Sequence, residues 1–202
     1  MNDRTFARVT IGGVGRKPEK FHTILLIDCS GSMSESIDEV RKDTQAFVQE
    51  MDQTDIASVI IFSGHKTSKV IAGPTECTKN GRDILCKAIE KEVRILNTTV
   101  FSEPLGLAIE TVRRHASPEM AHNTVLFTDG CAVPEKWDTQ EEQRKSLNFA
   151  RELGGTGVPV SAIGYGVYYD LMFLGNLIGA SGADGTFPVS YTHLTLPTIY
   201  SV

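Results

Sequence analysis

A chain of 202 residues is long enough for one domain with a sizeable buried core. Its 41% apolar and 22% charged residues are ordinary for a soluble globular protein. A net charge of −5 and the lack of a basic stripe argue against a general nucleic-acid binder. No apolar run approaches the roughly 20 residues of a membrane span, and the first residues lack the apolar core of a signal peptide. We therefore expect a cytoplasmic protein that binds neither nucleic acids nor membranes.

The first predicted element follows a loose lead-in over residues 1–20 and ends in a polar loop. Residues 21–27 carry no Lys, Arg, Asp or Glu, and their largely apolar and β-branched side chains indicate a strand buried on both faces of a parallel sheet. Asp28, Ser30 and Ser32 come directly after this strand, where open α/β sheets bind their ligands. These hard oxygen donors suit a small divalent cation such as Mg²⁺. Ordinary turn and N-cap roles are the alternative interpretation.

Patterns typical of helices and strands alternate along the rest of the chain. In order, they predict a helix over 37–51, strands over 56–62 and 69–72, helices over 84–89 and 105–112, a strand over 123–128, a helix over 147–153, a strand over 158–165, a helix over 171–178 and the start of a last strand at 186–187. Ser36 and Glu39 resemble a capping box for the first helix, with Ser34 as an alternative cap. Gly73 and Pro74 are expected to stop the strand before them. This alternation predicts a doubly wound α/β sheet.

A second aspartate follows a second buried strand much later in the chain. Residues 123–128 repeat the design of the first strand and lead directly into Asp129 and Gly130. Threonine hydroxyls at positions 98 and 99 lie in a loop before another predicted helix, whose first turn accommodates Pro104. Because ligand sites collect at the carboxyl ends of parallel strands, this repeated design strengthens the prediction of a metal site.

These motifs together resemble the metal-ion-dependent adhesion site of von Willebrand factor type A domains. The motifs are Asp28-x-Ser30-x-Ser32, a later loop threonine and Thr128-Asp129-Gly130. The similarity covers residues 21–188, which we take as the domain. It implies a Rossmann-like, mostly parallel sheet of about six strands in the order 3-2-1-4-5-6, with helices on both faces.

One departure from the family pattern concerns the loop threonine. The family usually has Gly-Gly-Thr where this chain has Asn97-Thr98-Thr99. Aligning the helix that follows favours Thr99 as the metal ligand, and Thr98 is the alternative.

The resemblance implies a binding module rather than an enzyme. The implied ligands of one Mg²⁺ or Mn²⁺, directly or through water, are Asp28, Ser30, Ser32, Thr99 and Asp129. Because Mg²⁺ often keeps water in its octahedral shell, an exposed position is open to a partner protein's Asp or Glu carboxylate. We therefore predict metal-bridged protein binding.

Two other functions compete with this interpretation. A strand-end aspartate near Mg²⁺ also occurs as the nucleophile of phosphoryl-transfer enzymes. Asp28 is followed by neither the second acid nor the lysine that such sites need, and Gly-x-Ser-x-Gly and phosphate-loop motifs are absent. A metal-free interaction domain is the other alternative, and the intact set of Asp and Ser ligands argues against it.

Cysteine and histidine spacing gives no further site. The four cysteines form no Cys-x-x-Cys pair, which argues against zinc, and the five histidines are scattered. Cys29 and Cys131 both fall in loops at the predicted metal edge. We interpret them as small packing residues rather than a redox pair.

The last residues do not resemble domain sequence. Residues 189–202 begin like the translation of a transposon mosaic-end sequencing adapter, whose bases GTC-TCT-TAT-ACA-CAT-CT read Val-Ser-Tyr-Thr-His-Leu. We interpret this segment as a non-native tail on a bacterial or metagenomic fragment that is truncated inside its last strand. A native strand rich in Thr and Leu is the alternative.

Overall fold

The computed structural model describes residues 20–135, 138–166 and 170–182. Within these ranges, five strands form one sheet in the order β3-β2-β1-β4-β5, in which only the β2–β3 pair is antiparallel. The strands are β1 (Lys20–Asp28), β2 (Ile56–Phe62), β3 (Lys69–Glu76), β4 (Met120–Thr128) and β5 (Val160–Gly164). The helices are a short 3-10 helix (Gly31–Glu35), α1 (Ile37–Glu50), α2 (Lys79–Glu92), α3 (Ser102–His115), α4 (Thr139–Gly155) and α5 (Leu171–Ala180). The α/β class predicted from the sequence is confirmed.

The parts of the chain outside those ranges include several predicted features. The lead-in before residue 20, the strand start at 186–187 and the tail from 189 all lie outside the described residues. None of the helices that the structure describes is both long and apolar enough to cross a lipid bilayer.

The central strand β1 separates two hydrophobic cores. Ile24 and Leu26 belong to a core that α3, α4 and α5 cover, whereas Leu25 and Ile27 belong to a core under α1 and α2. Successive side chains of a strand point to opposite faces, so an uninterrupted apolar run is what a strand covered by helices on both sides requires. This burial fixes the register of β1 and therefore the position of the loop that follows it.

Two local predictions from the sequence are wrong. Strand β3 continues through Gly73 and Pro74 to Glu76, because it is an edge strand of the described sheet and its register against β2 shifts at this point. An edge strand tolerates the missing N–H of a proline.

Ser36 precedes α1 but makes no side-chain cap, since its backbone is already helical (φ −110°, ψ −8°) and its N–H donates to Met33 O. A capping serine needs an extended backbone.

A buried histidine pair lies near the N-terminal ends of β1 and β4. The Nδ1 atoms of His22 and His122 are 3.1 Å apart, and His22 Nε2 is 2.9 Å from Ser58 Oγ. The His115 ring packs edge-on against His22, with 6.1 Å between centroids. Burial, reinforced by the two neighbouring imidazoles, lowers the pKa of His22 to about 4 and also lowers the pKa of His122. His22 and His122 are therefore neutral in the native protein at pH 7.

The histidine pair predicts a loss of stability in acid. A pKa of about 4 in the folded state, against 6.5 for a free imidazole, means that the unfolded chain takes up a proton first as the pH falls from 6.5 towards 4. Between pH 7 and about pH 5, the unfolding free energy of wild type should therefore fall by about 1–2 kcal/mol more than that of His22→Leu. Urea unfolding at both pH values measures the difference. Parallel pH dependences of the two proteins would contradict the assignment.

Candidate metal centre

The register of β1 and β4 brings the two strand ends together. Ile27 pairs with Phe127 across the parallel ladder, so Asp28 and Thr128 emerge side by side. Thr128 Oγ1 donates to Asp28 Oδ2 over 2.6 Å, and the Ser30 backbone N–H donates to Asp28 Oδ1 over 2.9 Å. The Asp28 side chain is fully excluded from solvent. Its position is thus fixed by the sheet and by two hydrogen bonds.

The two predicted serine ligands lie in the loop after β1. Ser30 is buried and Ser32 is exposed, and their Oγ atoms are 3.0 Å apart. The Gly31 N–H donates to Asn97 O over 2.6 Å, and the Leu96 N–H donates to Cys29 O over 2.7 Å. These backbone hydrogen bonds hold the loop that contains Thr98 and Thr99 (the threonine loop) against the segment that contains Ser30 and Ser32.

The two candidate threonines have different surroundings. Thr99 is buried, and its backbone pairs with Val133, which lies four residues after Asp129. Thr98 is half-buried, and its hydroxyl donates to Glu135 Oε1 over 2.8 Å. Thr99 pairs with the loop that follows Asp129, which favours Thr99 as the metal-ligand candidate of the two.

Ser63, at the end of β2, supports the threonine loop and was missed by the sequence analysis. Its Oγ donates to Thr98 O over 2.6 Å and accepts from the Asn97 N–H, while its carbonyl accepts from the Val100 N–H. The available signal was its position directly after a buried strand, at the same sheet edge as Asp28. Turn serines are too common for that signal to stand out.

Asp129 is held by a tight turn after β4. It is almost completely buried, and its Oδ1 accepts from the Cys131 N–H over 2.9 Å. Gly130 adopts a left-handed backbone (φ +76°), and a Cβ there would lie 2.8 Å from Leu174 and 3.2 Å from Asp170 O. Glycine suits this position because it adopts the left-handed backbone without strain and leaves room for the close approach of α5.

The two buried carboxylates repel each other. Burial and the nearby Asp129 charge together raise the pKa of Asp28 to about 7, against the opposing hydrogen bonds from Thr128 and Ser30. Among the described residues, neither aspartate forms an ion pair with a cationic side chain. A buried carboxylate normally needs a charged partner or a metal. The surrounding hydroxyl and carboxylate oxygens are hard donors, so the residues present fit a divalent cation.

Among the described residues, no group of three or more of the commonest metal-ligating side chains, His, Cys, Asp and Glu, could hold a metal ion. The candidate centre has only two carboxylates and depends on hydroxyls for the rest. Burial raises the pKa of Cys29 to about 12 and that of Cys131 to about 11, so both thiols stay protonated. Protonated, partly or fully buried thiols are consistent with packing.

The comparisons with known proteins identify the family of this chain. The chain belongs to the von Willebrand factor type A family, because the model of that domain matches residues 23–197. That match includes part of the segment from residue 189 onwards. A comparison with curated proteins gave no match.

Solved structures with the same fold come from several organisms. A von Willebrand factor type A protein from Catenulispora acidiphila has a TM-score of 0.70 and 16% identity, over 85% of this chain and 39% of that one. The conserved hypothetical protein BatB from Bacteroides thetaiotaomicron has a TM-score of 0.64 and 14% identity, over 82% and 89%. Proximal thread matrix protein 1 from the mussel byssus, with a zinc-occupied adhesion-site motif, has a TM-score of 0.63 and 17% identity, over 84% and 42%.

These similarities establish the fold alone, because every identity is low. The chain spans about two fifths of the Catenulispora and mussel proteins.

The raised pKa of Asp28 predicts an unusual gain in stability on neutralisation. In metal-free buffer, ionised Asp28 destabilises the folded state as the pH rises from 3.8 through about 7. Asp28→Asn should therefore unfold at a higher temperature than wild type at about pH 8 in EDTA. The difference in unfolding free energy should shrink by about 2–3 kcal/mol towards pH 5.

Thermal unfolding with EDTA at both pH values measures this effect. Asp38→Asn is a matched control, because Asp38 is exposed on α1 and pairs with Arg41. A variant at position 28 that is less stable than wild type at both pH values would contradict the prediction.

Proposed function

We propose that this chain is a metal-dependent protein-binding module. Domains of this family generally serve in protein interactions. The observation that carries the metal proposal is the pair of buried, mutually repelling aspartates with no cationic side chain to neutralise them within the described residues. A bound cation would remove that repulsion.

The proposed ligands have different roles in binding the cation. Asp28 is the main anchor, because two hydrogen bonds and complete burial fix its carboxylate. Asp129 binds the cation directly or orients a water molecule. The hydroxyl ligands in this proposal are Ser30, Ser32 and Thr99.

Magnesium or manganese is the cation that these donors favour. All proposed ligand atoms are oxygens, whereas zinc sites usually include nitrogen or sulfur. The zinc in the mussel protein is a property of that protein's structure. Cys29 and Cys131 lie next to proposed ligands, but their raised pKa values disfavour the thiolates that zinc would need.

The proposed partner supplies an Asp or Glu carboxylate. A divalent cation would provide the positive charge that attracts this group, and the loops around it would select the partner's neighbouring residues. Ser32 is the exposed member of the ligand set, so it marks the side from which a partner would approach.

Phosphoryl transfer by Asp28 fits the geometry less well. Phosphoryl transfer needs a cationic side chain that stabilises the transferred group, and no lysine forms an ion pair with Asp28 among the described residues. We therefore propose that the protein is not an enzyme. The cytoplasmic location expected from the sequence stays a prediction.

Direct cation binding is the first test. Calorimetric titration with Mg²⁺ and Mn²⁺ should give one site in wild type and none in Asp28→Ala. Asp38→Ala, which removes an exposed acid of α1, should bind like wild type. Equal binding by the Asp28 variant would show that the cation lies elsewhere, and no binding by wild type would favour the metal-free alternative.

Partner capture is the second test. Peptides selected from a random library in Mg²⁺ should contain an Asp or Glu whose replacement by Asn or Gln abolishes binding. EDTA should release them, because the cation supplies the attraction. Thr99→Ala should weaken capture by about tenfold or more, whereas Thr98→Ala, at the neighbouring threonine, should have a smaller effect. Capture that persists undiminished in EDTA would contradict the metal bridge.

A further inference from the structure

Glu142, in the first turn of α4, is a second fully buried carboxylate that lies outside the proposed ligand set. Among the acidic side chains that the structure describes, only Asp28 and Glu142 have no exposed surface at all. A buried charge without compensation would be strongly destabilising, so its contacts explain why it is tolerated there.

The partner of Glu142 is the start of α3. The Ser102 backbone N–H donates to Glu142 Oε1 over 2.7 Å, and Ser102 Oγ donates to Oε2 over 3.1 Å. A further hydroxyl, Ser146 Oγ, lies 3.2 Å from Oε1. The carboxylate therefore caps a helix to which it does not belong, at the end where the helix dipole favours negative charge.

Local sequence leaves the start of α3 without a cap of its own. The residue before the helix is Phe101, which has a helical backbone and no side-chain acceptor. Pro104 lacks an N–H, so the first turn has fewer donors than usual to satisfy. The Ser102 N–H is one of them, and Glu142 supplies its acceptor from a distant part of the chain.

The position of this contact connects it to the candidate metal centre. Ser102 lies three residues after Thr99, and Phe101 between them is fully buried against Phe62 and Phe173. Glu142 lies in the first turn of α4, the helix that follows Asp129 in the chain. The Thr99–Val133 backbone pair joins the segments before α3 and α4 near the site, and the Glu142 carboxylate joins them again where each enters its helix.

We infer that Glu142 is a positioning residue that holds the start of α3, and with it Thr99, in place for metal binding. This inference rests on the proposed function. Outer residues that orient metal ligands typically change affinity by about 10- to 100-fold when removed. Glu142 acts through the Ser102 backbone, without touching the cation.

The test is Mn²⁺ titration calorimetry on the 202-residue chain at a temperature where each variant is folded by circular dichroism. Glu142→Ala should lower the affinity by at least about tenfold. Glu142→Gln should stay within about threefold of wild type, because its amide oxygen still accepts from the Ser102 N–H and its NH₂ donates to Ser102 Oγ. Rescue by glutamine separates positioning from the negative charge itself.

Two control variants separate positioning from general loss of stability. Leu153→Ala empties a buried core position near the far end of the same helix, so it should destabilise the protein without changing Mn²⁺ affinity. Glu141→Ala removes the neighbouring, half-exposed acid that pairs with Lys145, and it should bind like wild type. If Glu142→Ala fails to fold, Glu142→Asp takes its place, because its side chain is one methylene shorter and draws the carboxylate away from the Ser102 N–H; it should lower the affinity in the same way.

Each outcome bears on the inference. Wild-type affinity in Glu142→Ala, or an equal loss in Leu153→Ala, would overturn the positioning role and leave the metal site standing. Loss of affinity in Glu142→Gln equal to that in alanine would also overturn it, because hydrogen bonding would then be irrelevant. No Mn²⁺ binding by wild type would overturn the proposed function, and the inference with it.

Discussion

The burial of Asp28 at the end of the central strand is the constraint on which the candidate site depends. Removing an ionised carboxylate from water is unfavourable unless hydrogen bonds or opposite charge compensate for it. Here two hydrogen bonds compensate in part, yet burial and the Asp129 charge still raise the pKa to about 7. The residual imbalance is a property of the protein alone, and a divalent cation is a natural way to remove it.

Sheet topology explains why the two aspartates meet. Strand β1 lies between β2 and β4, and both neighbours run parallel to it. Parallel strands deliver their carboxyl ends to one edge, so loops that are distant in sequence become neighbours. Two helical layers keep both faces of β1 buried, which prevents a register slip that would turn Asp28 away from Thr128. The apolar core on both faces of β1 thus fixes the positions of the polar side chains at the carboxyl edge of the sheet.

The sequence predicted the class of fold and the order of the described elements because long apolar runs and helical periodicity depend on local pattern. It could not predict that β3 continues past Pro74, since that depends on the strand lying at an edge with a shifted register. The capping box at Ser36 failed because a 3-10 turn precedes α1. Both predictions used local sequence motifs, and in both places the surrounding tertiary structure determined a different local conformation.

The candidate site was predictable to a similar depth. Asp28 and Asp129 follow recognisable strands, so their meeting at one edge could be argued from topology. The support from Ser63 and Glu142 could not, because each acts through a backbone group far away in sequence. The identities of such supporting residues are fixed by three-dimensional proximity. A sequence pattern cannot indicate that proximity when the contact depends on a single side chain.

The two fully buried carboxylates show how similar burial leads to different roles. Glu142 receives an N–H and a hydroxyl from Ser102, and it faces the positive end of α3. Its charge is therefore compensated within the protein. Asp28 also accepts two hydrogen bonds, but the charge that acts on it is that of another acid, Asp129, and the net effect is a raised pKa. Burial alone thus does not identify a metal ligand, whereas burial beside a like charge, with hydroxyl oxygens at hand, gives a physical reason for a cation to bind.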